Sequence, residues 1–202
     1  MSETLDLTPA QGPLRVRLRD GAEADLRPLA RHDTETVQAV FDGMSEQSRA
    51  LRYLTGLPRL PGTMRRMLSD VDDDRHVAWV ACIDGRPVGL ARYIRLAEVP
   101  ATAELALEVV DRDHGRGLGT LLLDAVTTVA AARGVRRVRA TMAPGNTASR
   151  HLIERVGGAA RLGGGLLEAD GELRLLDPPV VDRAAVLAVA AGPRGRHVLP
   201  AV

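Results

Sequence analysis

The stretch Glu104-Leu105-Ala106-Leu107-Glu108-Val109-Val110-Asp111-Arg112-Asp113-His114-Gly115-Arg116-Gly117-Leu118-Gly119-Thr120 changes character twice within one short span. It opens as an apolar strand running from Thr102 to Val110, then places glycines at 115, 117 and 119. From there Leu118, Leu121, Leu122, Ala125 and Val129 recur at helical spacing. The reading is strand, glycine turn, helix. The first amides of a helix have no intrahelical partner and sit at the positive end of its dipole, so such a turn favours an anion. Glycines let phosphate oxygens approach the backbone closely. A turn with no ligand would look the same, so the glycines alone are a weak signal.

Three nucleotide ligands compete for the turn. A dinucleotide fold wants an acidic residue about 20 positions further on to hold a ribose, and Gly134-Val135-Arg136-Arg137-Val138-Arg139 offers none. A P-loop needs a lysine, and all 27 basic residues of the Lys+Arg class are arginine. Coenzyme A carries a pyrophosphate without that ribose requirement, and it fits.

Upstream of the stretch, Leu14, Val16 and Leu18 alternate with arginines before Asp20-Gly21, which predicts a hairpin. Asp33 and Ser45 are placed to cap helices ending near Gly43 and Tyr53, and a third short helix is expected over Gly62 to Leu68. His76 to Ile83 and Pro87 to Leu96 read as strands about an Asp84-Gly85 turn. Downstream, a helix closes at Arg133-Gly134, Val135 to Met142 is a strand, and Ala148 to Val156 is a helix. Two strands, Ala160 to Glu168 and Glu172 to Leu176, are expected to turn at Asp170-Gly171. The fold class is mixed α/β (α+β), with a central, mostly antiparallel sheet flanked by helices. Residues 1–12 are expected as a mobile leader, 13–177 as the domain, and 178–202 as a C-terminal tail with one short helix.

Composition narrows the function. A net charge of +1 gives no basic surplus for a nucleic-acid backbone, and 2% aromatics leaves few rings for bases to stack on. The absence of lysine excludes a Schiff-base lysine and a catalytic lysine. The single cysteine, Cys82, excludes an intramolecular disulfide and a four-cysteine zinc site. On an apolar strand it is expected as a core thiol. No metal is expected: the histidines are scattered, and the acidic run Asp70 to Asp74 lacks calcium-loop spacing. With no export signal and no apolar run long enough to span a membrane, a cytoplasmic location is expected.

The stretch from Glu104 to Leu123 resembles the acetyl-CoA-binding segment of the GNAT superfamily of N-acetyltransferases, whose Gln/Arg-x-x-Gly-x-Gly/Ala pattern is met by His114-x-x-Gly117-x-Gly119. Asn146-Thr147-Ala148-Ser149-Arg150-His151-Leu152-Ile153, ending in Gly157-Gly158, is similar to the second segment of that family. Met44-Ser45-Glu46-Gln47-Ser48, Arg52-Tyr53 and Ala103-Glu104 look like the bacterial protein-lysine acetyltransferases, here without the regulatory domain often fused to them.

The resemblance implies a GNAT fold whose fourth and fifth main strands splay apart, with acetyl-CoA as donor. The backbone of Val109 and Val110 would pair with pantetheine, Gly115, Arg116, Gly117, Leu118, Gly119 and Thr120 would hold the pyrophosphate, and Asn146 would order its turn or touch the donor. Glu104 is the expected general base and Glu108, four residues along the same strand face, its rival. An apolar setting would make Glu104 a readier proton acceptor. Ile153 stands where the family often has a tyrosine to protonate the departing thiolate; Ser149, one helical turn earlier, is the stand-in donor. The acceptor is an amine: a protein lysine, or a small molecule such as an antibiotic, polyamine or amino acid. Ile153 also leaves room for a non-catalytic acyl-CoA sensor. A homodimer is one arrangement the sequence allows.

Overall fold

A computed structural model of the chain describes residues 12–192. The leader assigned to 1–12 therefore lies outside the described residues except for Gly12. The elements are β1 (Leu14–Arg17), β2 (Glu23–Pro28), α1 (Thr34–Asp42), α2 (Glu46–Tyr53), α3 (Gly62–Ser69), β3 (His76–Ile83), β4 (Arg86–Arg95), β5 (Thr102–Val109), α4 (Leu118–Ala132), β6 (Arg137–Met142), α5 (Thr147–Arg155), β7 (Ala159–Gly163), β8 (Leu166–Glu172) and α6 (Arg183–Ala191). They build one eight-stranded sheet ordered β1-β2-β3-β4-β5-β6-β8-β7.

Every neighbouring pair runs antiparallel except β5 and β6. Those two pair only at Thr102, Ala103 and Glu104, opposite Arg137, Val138 and Arg139. Beyond Glu104 the strands part, while β5 stays joined to β4 as far as Val109. These are the two strands expected to splay.

The sheet is covered on both faces. Val77, Trp79, Ala81 and Ile83 of β3 pack with Leu118, Leu122, Val126 and Val129 of α4 on one side. Ala78, Val80 and Cys82 point the other way, to Val37, Val40 and Phe41 of α1 and Leu68 of α3. All of β3 is buried, which explains why its sequence reads as a continuous apolar run rather than an alternation.

One expectation needs correction. The β7–β8 hairpin turns at Gly164-Gly165, not at Asp170-Gly171. Both of those glycines have positive φ, 57° and 81°, as a tight two-residue hairpin turn requires. Gly171 lies inside β8 because the Gly157 carbonyl oxygen would stand 1.8 Å from any Cβ there. The stretch from Pro178 carries one short helix, α6, which packs onto α4; residues 193–202 of the expected tail lie outside the described residues. Asp124, fully buried in α4, accepts hydrogen bonds from the amides of Val180 (2.7 Å) and Val181 (3.2 Å) and from Arg183 (3.1 Å). Val181 and Val186 are buried in the core on this side of the sheet.

Candidate active site

The parting of β5 and β6 opens a cleft of about 540 Å³. Its floor is the free end of β5, one wall is the glycine turn and the start of α4, and α2 and the N-terminal end of α5 form the others. Each wall follows from local sequence. Ser45 caps α2 by accepting from the Ser48 amide at 3.1 Å, and Asn146 caps α5 by accepting from the Ser149 amide at 3.1 Å. Gly117 is the N-cap residue of α4 at φ 95° and supplies no side-chain cap; the Thr120 amide turns back to the Gly117 carbonyl at 3.1 Å, and the amides of Leu118 and Gly119 have no hydrogen bond among the described residues.

Val109, Gly115, Gly117, Leu118, Gly119, Thr120, Asn146 and Ser149 all line this cleft, as does Glu108. Val110 and Arg116 do not. The Val110 amide donates to the Val88 carbonyl of β4 at 2.9 Å, and its side chain is buried. Strand alternation then turns the amide and carbonyl of Val109 to the open edge, where the carbonyl meets His114 Nε2 at 2.8 Å. Arg116 is spent on carboxylates: Asp20 at 2.6 Å and Asp113 at 2.6 Å. It fastens the turn to the β1–β2 hairpin rather than reaching for phosphate.

The two glutamates of β5 part company. Glu108 is buried and ion-paired with Arg52 of α2 and with the fully buried Arg92 of β4, the latter at 3.5 Å. With each carboxylate oxygen facing a guanidinium, Glu108 is poorly placed to take a proton from a substrate. Glu104 is exposed, contrary to the apolar setting expected for it. It lines a small recess of about 60 Å³ beside the cleft, together with Arg52, Asn146, Ser149 and Ile153. Glu104 and Ser149 are thus brought to one place. The Ser149 hydroxyl has no hydrogen bond among the described residues.

Neither tyrosine fills the gap left by Ile153. Tyr93 is wholly buried in the core, and Tyr53 packs on Phe41 with ring centroids 5.6 Å apart, outside the cleft lining. The acidic run is engaged structurally. Asp72 accepts from the amides of Asp74, Arg75 and His76, Asp70 pairs with Arg31, and Asp74 with Arg95. No group of three or more His, Cys, Asp or Glu suited to a metal occurs among the described residues. Cys82 is buried, and burial pushes its thiol up. No helix among the described residues is long and apolar enough to cross a membrane.

Ser48, Arg52 and Arg19 line the cleft without a site role that local sequence assigns to them. Ser48 and Arg52 stand four residues apart on one face of α2, and Ser45 is its N-cap. Ser45 and Ser48 bind Asp111, just after β5, through the Ser45 amide (2.7 Å) and the two hydroxyls (2.6 and 2.7 Å). Burial pulls the Asp111 carboxyl up, but these hydrogen bonds outweigh it and hold it below its usual range. Arg19, from the β1–β2 turn, reaches the cleft across the chain and had no local signal.

A splayed parallel pair with a glycine turn at its foot is shared by a known group. A family model described as the acetyltransferase (GNAT) family matches residues 43–158. The chain belongs to the acetyltransferase (GNAT) family. It is an acyltransferase, and enzymes of this family use acetyl-CoA as acyl donor. The chain is 30% identical over 139 residues to acetyltransferase PA5475 of Pseudomonas aeruginosa, covering 67% of this chain and 74% of that protein. It is also 30% identical over 148 residues to acetyltransferase Pat of Mycolicibacterium smegmatis, covering 72% of this chain but only 44% of Pat. Among solved structures, the GNAT domain of S. lividans PAT superposes with a TM-score of 0.73 at 29% identity, over 82% of this chain and 99% of that one.

Proposed function

We propose that this chain transfers the acetyl group of acetyl-CoA directly to an amine, with protein lysine as the acceptor class. The observation that carries the first part is the meeting, in one cleft, of the Val109 open edge, the uncapped start of α4 and the Glu104 recess. Bound acetyl-CoA supplies a thioester carbonyl. The amides of Gly117, Leu118 and Gly119 hold its pyrophosphate, with the Thr120 hydroxyl beside them, and the Val109 backbone holds the pantetheine arm once His114 gives up the carbonyl.

Glu104, exposed at the last paired position before the strands part, accepts a proton from the incoming amine, directly or through one water. Arg52 stands beside it, already compensated by Glu108, and holds α2 against β5. Ser149 offers a hydroxyl to the departing thiolate; the ammonium product is the other proton source. Protein lysine is favoured over small amines because Ser45, Ser48, Arg52 and Glu104, which make this sequence look like the protein-lysine acetyltransferases, also shape the cleft.

Thiol release from acetyl-CoA, followed with lysine peptides and with polyamines, amino acids and aminoglycosides as acceptors, tests the reading. Turnover with the peptides and little with the small amines is expected. The reverse preference overturns the lysine assignment, and no release with any acceptor overturns direct transfer.

A further inference from the structure

The β1–β2 hairpin packs against the glycine turn. The Arg19 amide faces the Arg116 carbonyl at 3.4 Å, and the Arg19 side chain lies over Gly117, where a Cβ would meet its Nε at 3.4 Å and its Cγ at 3.5 Å. Arg19 is exposed, and it lines the cleft. Its guanidinium has no hydrogen bond or ion pair among the described residues.

The neighbouring carboxylates already have partners. Asp20, next in sequence, is taken by Arg116. Asp113 is ringed by Arg86, Arg112 and Arg116 at 3.2, 3.5 and 2.6 Å. Asp111 is held by the two serines of α2. The carboxylates around the turn are thus each engaged by other groups, and the Arg19 guanidinium stands without a carboxylate partner beside the positive end of a 15-residue helix.

We propose that Arg19 is a donor-binding residue, contacting the pyrophosphate held at the start of α4, and that it does so in place of Arg116. This rests on the reading of the cleft as an acetyl-CoA site. A guanidinium matches phosphate oxygens in charge and geometry, and it can donate two hydrogen bonds in parallel. Arg19 reaches the turn from a separate hairpin, so it closes over the bound anion from the side opposite α4 and adds charge that the backbone amides cannot.

Calorimetric titration of wild type, Arg19→Ala and Arg19→Lys with CoA, 3′-dephospho-CoA and pantetheine tests this. Arg19→Ala should weaken CoA and 3′-dephospho-CoA alike by about tenfold, the scale of one partly solvated charge-assisted contact. It should leave pantetheine, which has no pyrophosphate, unchanged, and Arg19→Lys should recover part of the loss. Equal weakening of pantetheine means a structural role and overturns the proposal. So does unchanged affinity for every probe. A loss confined to CoA places the contact at the 3′-phosphate and overturns the pyrophosphate assignment. Failure of the wild type to bind CoA would instead sink the acetyl-CoA reading itself.

Discussion

The carboxylate of Glu108 on β5 and the guanidinium of Arg52 on α2 are joined across the floor of the cleft. Arg92 approaches the other Glu108 oxygen and continues inward, donating to the Leu68 carbonyl at 2.5 Å and to His76 Nε2 at 3.3 Å. A polar chain thus runs from the cleft through the α1–α3 side of the sheet. Its place in the account is to hold α2 over β5, not to move protons.

Glu108→Gln should therefore act on stability first. It removes the charge that compensates Arg92, which is only 2% exposed. Breaking a buried pair this way costs about 3–5 kcal/mol. Chemical denaturation should show that loss. A Glu108→Gln variant as stable as wild type would contradict the structural role given to this residue.

His76 makes a prediction about pH. Burial, then the neighbouring Arg92 charge, lowers its pKa to about 4, against an ordinary value of 6.5, while Asp70 and Asp72 act weakly the other way. Its Nδ1 stands 3.2 Å from the Asp70 carbonyl oxygen, which can only accept, and its Nε2 stands 3.3 Å from the Arg92 guanidinium, which can only donate, so the contacts suit the neutral ring with its proton on Nδ1. The unfolded chain binds a proton near pH 6.5 and the folded chain does not until about pH 4. Stability from this group is present above 6.5 and falls across that window as pH drops, by up to about 1.4 kcal/mol per pH unit. Below about pH 4 there is no further loss. His76→Gln should flatten the denaturation midpoint between pH 6.5 and 4; an unchanged slope would remove His76 as its source.

Asp124→Ala should unfold α6 from α4. The change strands two amides and Arg183 and empties a buried acceptor, a cost of about 3 kcal/mol. Hydrogen exchange should speed up over Arg183–Ala191 more than over β3. Uniform exchange changes would mean that α6 is held by something else.

The hairpins at Asp20-Gly21 and Asp84-Gly85, the capped helices and the strand–turn–helix around Gly117 were legible because each follows from local rules of turn chemistry, capping and periodicity. What escaped depends on distant partners. Gly171 looks like a turn glycine, yet it is needed because the Gly157 backbone passes against it. Asp124 looks like a flaw in an apolar helix until Val180, Val181 and Arg183 come down on it. Glu104 and Glu108 share a strand face, and alternation cannot tell them apart. They are distinguished by Arg52 and Arg92, which arrive from α2 and β4. Arg116 looked like the phosphate cation because its link to Asp20, 96 positions away, leaves no trace in sequence.

The absence of lysine bears on self-modification. Enzymes that acetylate lysines meet their own side chains at high local concentration. This chain offers no ε-amine, and its arginines stay protonated. Incubation with labelled acetyl-CoA should add at most one acetyl group, at the α-amine, by intact mass. Two or more would reveal an acceptor chemistry outside this account, and label on Cys82 would point to an acyl-cysteine route.

The most direct test of direct transfer with Glu104 as the base is the steady-state turnover of Glu104→Gln, read beside its affinity for CoA. The substitution keeps the size of an exposed side chain and removes only the proton acceptor. Turnover should fall by roughly 10²–10⁴-fold, with CoA affinity and the unfolding midpoint unchanged. Full activity in Glu104→Gln across pH, with activity lost in a still-folded Glu108→Gln, would contradict the account and move the base to Glu108.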